Sequence, residues 1–207
     1  MSIVFHYAPM SSAGRVHWTL EELGIPYEKV KLDFAAGDTK KPEFLALNPN
    51  GKVPTIVIDG TPMFESVAIQ IALGERYGVE KGLWPALGSS EHLQALTWIV
   101  WGQVTLTGAL MQHMLNVGSY TPAEAQNAMQ AETSMAQVHT CFGILNERLS
   151  SRPYMLGESF TLVDLDLASV LGWALMVLKI DISKYPHFAS WLGRASERPG
   201  LKVAMAG

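Results

Sequence analysis

Three short stretches of this 207-residue chain carry residue types that could do chemistry. Ser11 and Ser12 stand where a strand pattern gives way to a helical one. Hydroxyls at a helix start are caps by default. Lys52, Val53 and Pro54 come just before the apolar run Thr55, Ile56, Val57, Ile58. A proline there removes a ladder donor and biases Val53 toward extended geometry, which leaves backbone polar groups free for another partner. An extended peptide added like a strand is one candidate. An X-Pro bond in so tight a connection can also be cis. Glu65 and Ser66 stand where a second strand yields to a helix. Backbone amides at a helix start attract a carboxylate, and a serine there can cap or bind.

The elements that must position these residues are legible in the pattern. Ile3–Tyr7 reads as a strand. Positions 13–23 read as a helix with Val16, Leu20 and Leu23 on one face, stopped by Gly24. A strand over 27–32, a short helix over 42–47 and a hairpin over 53–65 with an Asp59-Gly60 turn follow. A helix then runs over 66–77. The order β-α-β-α-β-β-α predicts an α/β mixed sheet with parallel pairs over residues 1–80. Residues 81–90 read as a linker rich in Gly, Pro and Ser. Residues 91–207 read as all-helical, with helices over 91–115, 122–149, 162–178 and 185–197 punctuated by Pro153, Gly157, Pro186 and Pro199-Gly200. No Asp, Glu, Lys or Arg falls between Leu93 and Leu115. A helix so poor in charge is buried on several sides or pressed against another subunit.

Composition bounds the rest. Hydrophobic residues make up 48% and charged residues 16% of the chain, the balance of a globular protein. The net charge of −4 and the absence of a Lys/Arg cluster argue against a phosphate-tracking nucleic-acid binder. One cysteine, Cys141, excludes an intramolecular disulfide and a cysteine metal cluster. The apolar stretch 162–178 is about one turn short of a membrane span and carries Asp164 and Asp166, so a buried helix is the better reading. The start lacks a basic, apolar leader pattern, and a cytoplasmic location is expected.

The run from Asn48 through Pro54, Glu65-Ser66 opening a helix, the segment from Ser11 to Glu28, and Phe160 through Asp164 together resemble a soluble glutathione transferase over essentially the whole length. The likeness is to bacterial serine-type, theta- or beta-like members, and it implies a thioredoxin-like N-terminal domain over residues 1–80 and an all-helical partner domain over residues 91–207 that contributes the electrophile pocket. In the last segment Thr161 and Asp164 match the family's capping box. The resemblance implies a detoxifying transferase that needs no cofactor beyond the cosubstrate glutathione, takes a small apolar electrophile, and binds neither nucleic acid nor membrane. It implies that Val53-Pro54 is cis and that the Val53 backbone pairs with the cysteinyl part of glutathione. Glu65 and Ser66 then hold the γ-glutamyl end, and Lys52 is placed for the glycyl carboxylate or a nearby backbone group.

A thiol of pKa about 8.5 is only a few per cent thiolate at pH 7. Lowering it by roughly two units takes about 2.7 kcal/mol of differential interaction. A hydroxyl donor plus the dipole at a helix N-terminus can supply this. Spacing from Arg15 in serine-type members selects Ser11. An ungapped match to bacterial cysteine-type members selects Ser12, and Tyr7 loosely matches the tyrosine of tyrosine-type members. No cysteine stands at the matching position, so exchange through an enzyme thiol is disfavoured. Thr39 stands where some members carry a glutathione-binding histidine. Met10, Met111, Met114 and Trp173 could line the electrophile pocket, although helix-spaced apolar side chains are more often core. The six histidines have no metal spacing, and Arg15 and Glu21 read as a helix-surface pair. A homodimer is expected from the uncharged helix. A different class, a glutathione-fold module that binds without turnover, fits the fold equally well, and an isomerase or peroxidase remains open.

Overall fold

The computed structural model describes residues 2–118 and 121–206. It forms two compact units. One reaches to Leu87 and takes in the chain from Glu197 onward, and the other runs Gly88–Ser196.

The first unit is built on a four-stranded mixed sheet. β1 (Ile3–Tyr7), β2 (Glu28–Lys31), β3 (Thr55–Ile58) and β4 (Thr61–Phe64) lie in the order β2-β1-β3-β4. β1 pairs parallel with β2 and antiparallel with β3, and β3 pairs antiparallel with β4. The thioredoxin-like expectation is met. α1 (Ala13–Leu23) starts and stops where its sequence predicts. Gly24 ends it in the left-handed region (φ 57°), its N–H bonded to the Leu20 and Glu21 carbonyls. Val16, Leu20 and Leu23 are fully buried, and so is Trp18. The second buried face exists because α9 (Pro199–Ala206) lies along α1. There Arg198 grips the Glu22 carboxylate with Nε, at 3.1 Å, and with Nη2. Trp18 Nε1 donates to the same carboxylate at 2.9 Å.

α9 lies beyond the last helix the sequence pattern predicts, over 185–197, where Pro199-Gly200 reads as punctuation, and it clusters with the first unit. Proline is suited to the first turn of a helix, where its missing N–H has no partner to lose. Arg15 also departs from expectation, being buried, while Glu21 accepts from the Tyr27 hydroxyl.

α2 (Pro42–Leu45) and α3 (Ser66–Leu73) complete the first unit; α3 runs on as a π-helical turn over Gly74–Gly78. The widened turn seats Gly74, whose added Cβ would stand 2.8 Å from the Trp84 ring.

The second unit is all helical: α4 (Ser90–Trp101), α5 (Thr107–Val117), α6 (Ala128–Arg148), α7 (Leu162–Leu178) and α8 (Pro186–Ser196). A π-helical turn over Gly102–Leu106 joins α4 to α5, and Gly102 packs directly on Leu167. α6 begins six residues later than expected because Asn127, not Pro122, caps it, accepting from the Gln130 N–H at 3.1 Å. The capping box of α7 is present. Asp164 Oδ2 accepts from the Thr161 N–H and hydroxyl, both at 2.9 Å, while Oδ1 accepts from the Met155 N–H and Trp191 Nε1. Among the described residues no helix is long and apolar enough to cross a membrane.

Candidate functional site

The sheet register collects the sequence-predicted residues at one end of the first unit. His6 faces Thr55 across β1–β3, so Ala8 comes level with Val53. Thr55 faces Phe64 across β3–β4, so Val53 comes level with Ser66. The loop after β1, the Lys52–Pro54 approach to β3 and the start of α3 therefore share one edge. Two helix N-termini, α1 and α3, open there, and neither has an acidic residue in its first turn. Each presents the positive end of a helix dipole to whatever binds between them, with the Ala13 and Gly14 N–H groups of α1 held by the Ser11 hydroxyl and carbonyl.

The centre of this edge is the Val53–Pro54 step, which is cis as the resemblance implied. Among the described residues the Val53 N–H has no acceptor. The segment is fixed from behind by a residue the sequence reading quoted without giving it a role. Asn48 is almost fully buried. Its amide donates to the Lys52 carbonyl at 2.8 Å and to Thr55 Oγ1 at 3.0 Å, and its oxygen accepts from the Asn50 N–H at 3.0 Å. Thr55 Oγ1 donates to the same Lys52 carbonyl at 3.1 Å. Gly51 makes the turn at φ 59°, with Thr39 O only 2.7 Å from where a Cβ would stand. An Asn three residues before a Gly is the signal that could have singled out this brace. Lys52 itself is exposed.

The three candidate hydroxyls are placed differently. Ser11 turns back into its own loop, donating to the Ala8 carbonyl at 2.7 Å and accepting from the Ala13 N–H at 3.2 Å. Ser12 is exposed, and its hydroxyl reaches across to the Val53 carbonyl at 3.3 Å. Tyr7 is buried, its ring stacked on Phe5 at 5.5 Å and 6.1 Å from the His17 ring. Glu65 is exposed at φ 69°, a conformation that costs a non-glycine residue about 1–2 kcal/mol. Strain of this kind concentrates at functional sites. Ser66 is buried behind it. Neither side chain makes a hydrogen bond among the described residues.

Of the apolar candidates, Met10 is 89% exposed and adjoins the two serines, with φ 55°. Met111 is half-exposed on α5, Trp173 is half-buried on α7, and Met114 is buried in the helical core. A groove in the helical unit lined by Trp98, Ile144, Arg148 and Arg152 holds none of them. Cys141 is buried, and desolvation pushes its thiol up. Among the described residues no group of three His, Cys, Asp or Glu side chains could hold a metal ion.

Two family models match. Residues 2–71 fit the glutathione S-transferase N-terminal domain and residues 110–199 the glutathione S-transferase C-terminal domain. The chain belongs to the glutathione S-transferase family. It is 29% identical to the disulfide-bond oxidoreductase YfcG of Escherichia coli K12, over 98% of this chain and 94% of that protein. A glutathione transferase of Methylococcus capsulatus superposes with a TM-score of 0.83 at 26% identity, covering 99% of this chain and 97% of the other. A glutathione transferase homologue of Lodderomyces elongisporus, crystallised with two glutathiones per subunit, superposes with a TM-score of 0.87 at 23% identity, covering 100% and 98%. The family's N-terminal domain match spans every candidate on the sheet edge, from Tyr7 to Ser66.

Proposed function

We propose that this family member binds glutathione along the sheet edge, holds its thiol as thiolate, and transfers the sulfur to a small apolar electrophile. The observation that carries the reading is the pair of helix N-termini opening on one edge, with the unpaired Val53 N–H between them. Glutathione is an extended tripeptide with two carboxylates, one ammonium and one thiol. The Val53 backbone pairs with its cysteinyl unit in strand fashion. Ser66 and the α3 amides take the γ-glutamyl carboxylate, Glu65 its ammonium, and Lys52 the glycyl carboxylate. The sulfur then lies at the start of α1, where the Ser12 hydroxyl donates to it and the helix dipole favours its charge.

Ser12 is preferred over Ser11 because the Ser11 hydroxyl is engaged as both donor and acceptor within its loop. Tyr7 is set aside because its ring is enclosed by Phe5 and His17. The thiol proton leaves to solvent, the thiolate attacks the electrophilic carbon, and the leaving group departs with its electron pair. Met10 is the apolar surface nearest Ser12 in sequence and the first candidate for contact with the electrophile. No cofactor beyond glutathione enters this scheme. A cytoplasmic homodimer is the form proposed. An exposed apolar stripe recurs at seven- and four-residue spacing through Leu93, Val100, Val104, Met111 and Leu115, and a second copy would cover it.

A second reading is favoured by the relationship to a disulfide-bond oxidoreductase. There the same thiolate attacks a disulfide sulfur, forming a mixed disulfide and expelling the other sulfur as thiolate. The one cysteine of this chain is buried in α6, so in either chemistry the attacking sulfur comes from glutathione. An aryl halide and a small dialkyl disulfide offered side by side with glutathione separate the readings. Thioether formation well above the uncatalysed rate supports transfer to carbon. Turnover of the disulfide alone supports exchange. Turnover of neither, with glutathione bound, leaves a binding module.

A further inference from the structure

Beyond Ser66 at its first position, α3 carries one polar side chain in its buried face. Gln70 has no exposed surface, and it is flanked by Ile69 and Ile71. Its Nε2 donates to Thr19 Oγ1 of α1 at 3.1 Å, and Thr19, also fully buried, donates its own proton back to the Arg15 carbonyl at 2.9 Å. The chain of donors thus ends in the first turn of α1. Gln70 Oε1 is shut from water and has no hydrogen-bond partner among the described residues. A half-satisfied buried amide costs stability that Leu at this position would not.

What the bond fixes is the phase and spacing of α1 against α3, the two helices whose N-termini flank Val53. Apolar packing tolerates repacking and loses uniqueness before it loses stability, whereas a buried directional bond has one register. We infer that Gln70 and Thr19 are positioning residues. They set the distance between the anion seat at the start of α1 and the one at the start of α3, so that a single tripeptide reaches both. This rests on the glutathione reading above.

The test uses the full chain as wild type, as the double variant Thr19→Val/Gln70→Leu, and as Thr19→Ser, which keeps the hydroxyl. Three quantities are measured: the urea midpoint, the glutathione Kd by calorimetry, and the ionisation midpoint of bound glutathione thiol by ultraviolet absorbance. Removing both polar partners together should leave the urea midpoint at or above that of wild type. Glutathione affinity should weaken roughly tenfold, and the thiol midpoint should move up toward that of free glutathione. Thr19→Ser should match wild type. A double variant that binds and ionises glutathione as wild type does overturns the inference. So does one that loses stability and affinity together while the thiol midpoint stays put, because that is an ordinary core defect. If the double variant does not fold, Thr19→Ala against Thr19→Ser carries the same comparison through the hydroxyl alone. A wild type that never binds glutathione overturns the site reading itself and this inference with it; a wild type that binds and ionises glutathione isolates the clamp.

Discussion

Ser12 Oγ lies 3.3 Å from the carbonyl oxygen of Val53, 41 residues away in sequence. The hydroxyl occupies the acceptor that the N–H of an extended peptide would claim in strand-like pairing. Under the proposed function, glutathione binding would exchange one donor on Val53 for another and turn the Ser12 hydroxyl toward the sulfur.

This relationship separates the two serines. Ser12→Ala should lower kcat by about 10²–10³ with little change in glutathione Kd, as for loss of one donor to a developing or resident anion. Ser11→Ala should keep kcat and lower stability by about 1 kcal/mol, the usual value of a lost turn or cap bond. Steady-state kinetics and urea unfolding of both variants check this, and an inverted pattern returns the catalytic role to Ser11.

Asn48 braces the edge from behind. Asn48→Ala strips the Lys52 carbonyl and Thr55 hydroxyl of a buried donor, which should cost about 2 kcal/mol of stability. Glutathione affinity should fall with it, since Lys52 and Val53 lose their fixed position. Calorimetry on the folded fraction reads the second effect directly. Unchanged affinity in a destabilised protein would mean that the brace serves the fold alone.

Burial gives the protein an acid-side sensitivity. Desolvation lowers the His17 pKa, with Lys29 adding to the effect, while Glu21 and the Ala204 backbone oppose it. His6 is lowered as well, chiefly by burial against the opposing charge of Glu28. For a base held below its ordinary value, the unfolded chain takes up the proton first. Stability is therefore complete above about pH 6.5 and is lost as pH falls from there toward the folded value. Urea midpoints should drop between pH 7.5 and 5.5, and His17→Gln should flatten the slope. An equal slope in the variant would place the sensitivity elsewhere.

The apolar stripe on α4 and α5 makes the assembly testable. Val104 is 68% exposed at its centre. Val104→Arg puts a charge where a second copy would pack, and sedimentation at micromolar concentration should show monomer for the variant and dimer for wild type. A monomeric wild type contradicts the proposal.

Local signals were readable from sequence and long-range ones were not. α1 and α7 matched because Gly24, Thr161 and Asp164 are local stop and start signals. α9 was missed because Pro199 fits the start of a helix as well as the end of one, and only its packing on α1 decides. At the π-helical turn, the close approach of Leu167 to Gly102 joins residues that no window of sequence contains. At the site, Val53-Pro54 and Glu65-Ser66 were legible as backbone-shaping steps. Which serine faces Val53 was not, because that contact joins residues 41 positions apart. Asn48 drew attention only as part of the turn, and the partners of Gln70 and Thr19 lie 51 residues apart.

The central claim is that the α1 end of the sheet edge stabilises a thiolate. The direct measurement is a titration of the protein–glutathione complex from about pH 5 to 9, following thiolate absorbance near 240 nm. The midpoint should lie roughly two units below that of a free thiol of pKa about 8.5. A midpoint equal to that of free glutathione, with binding intact, would contradict it.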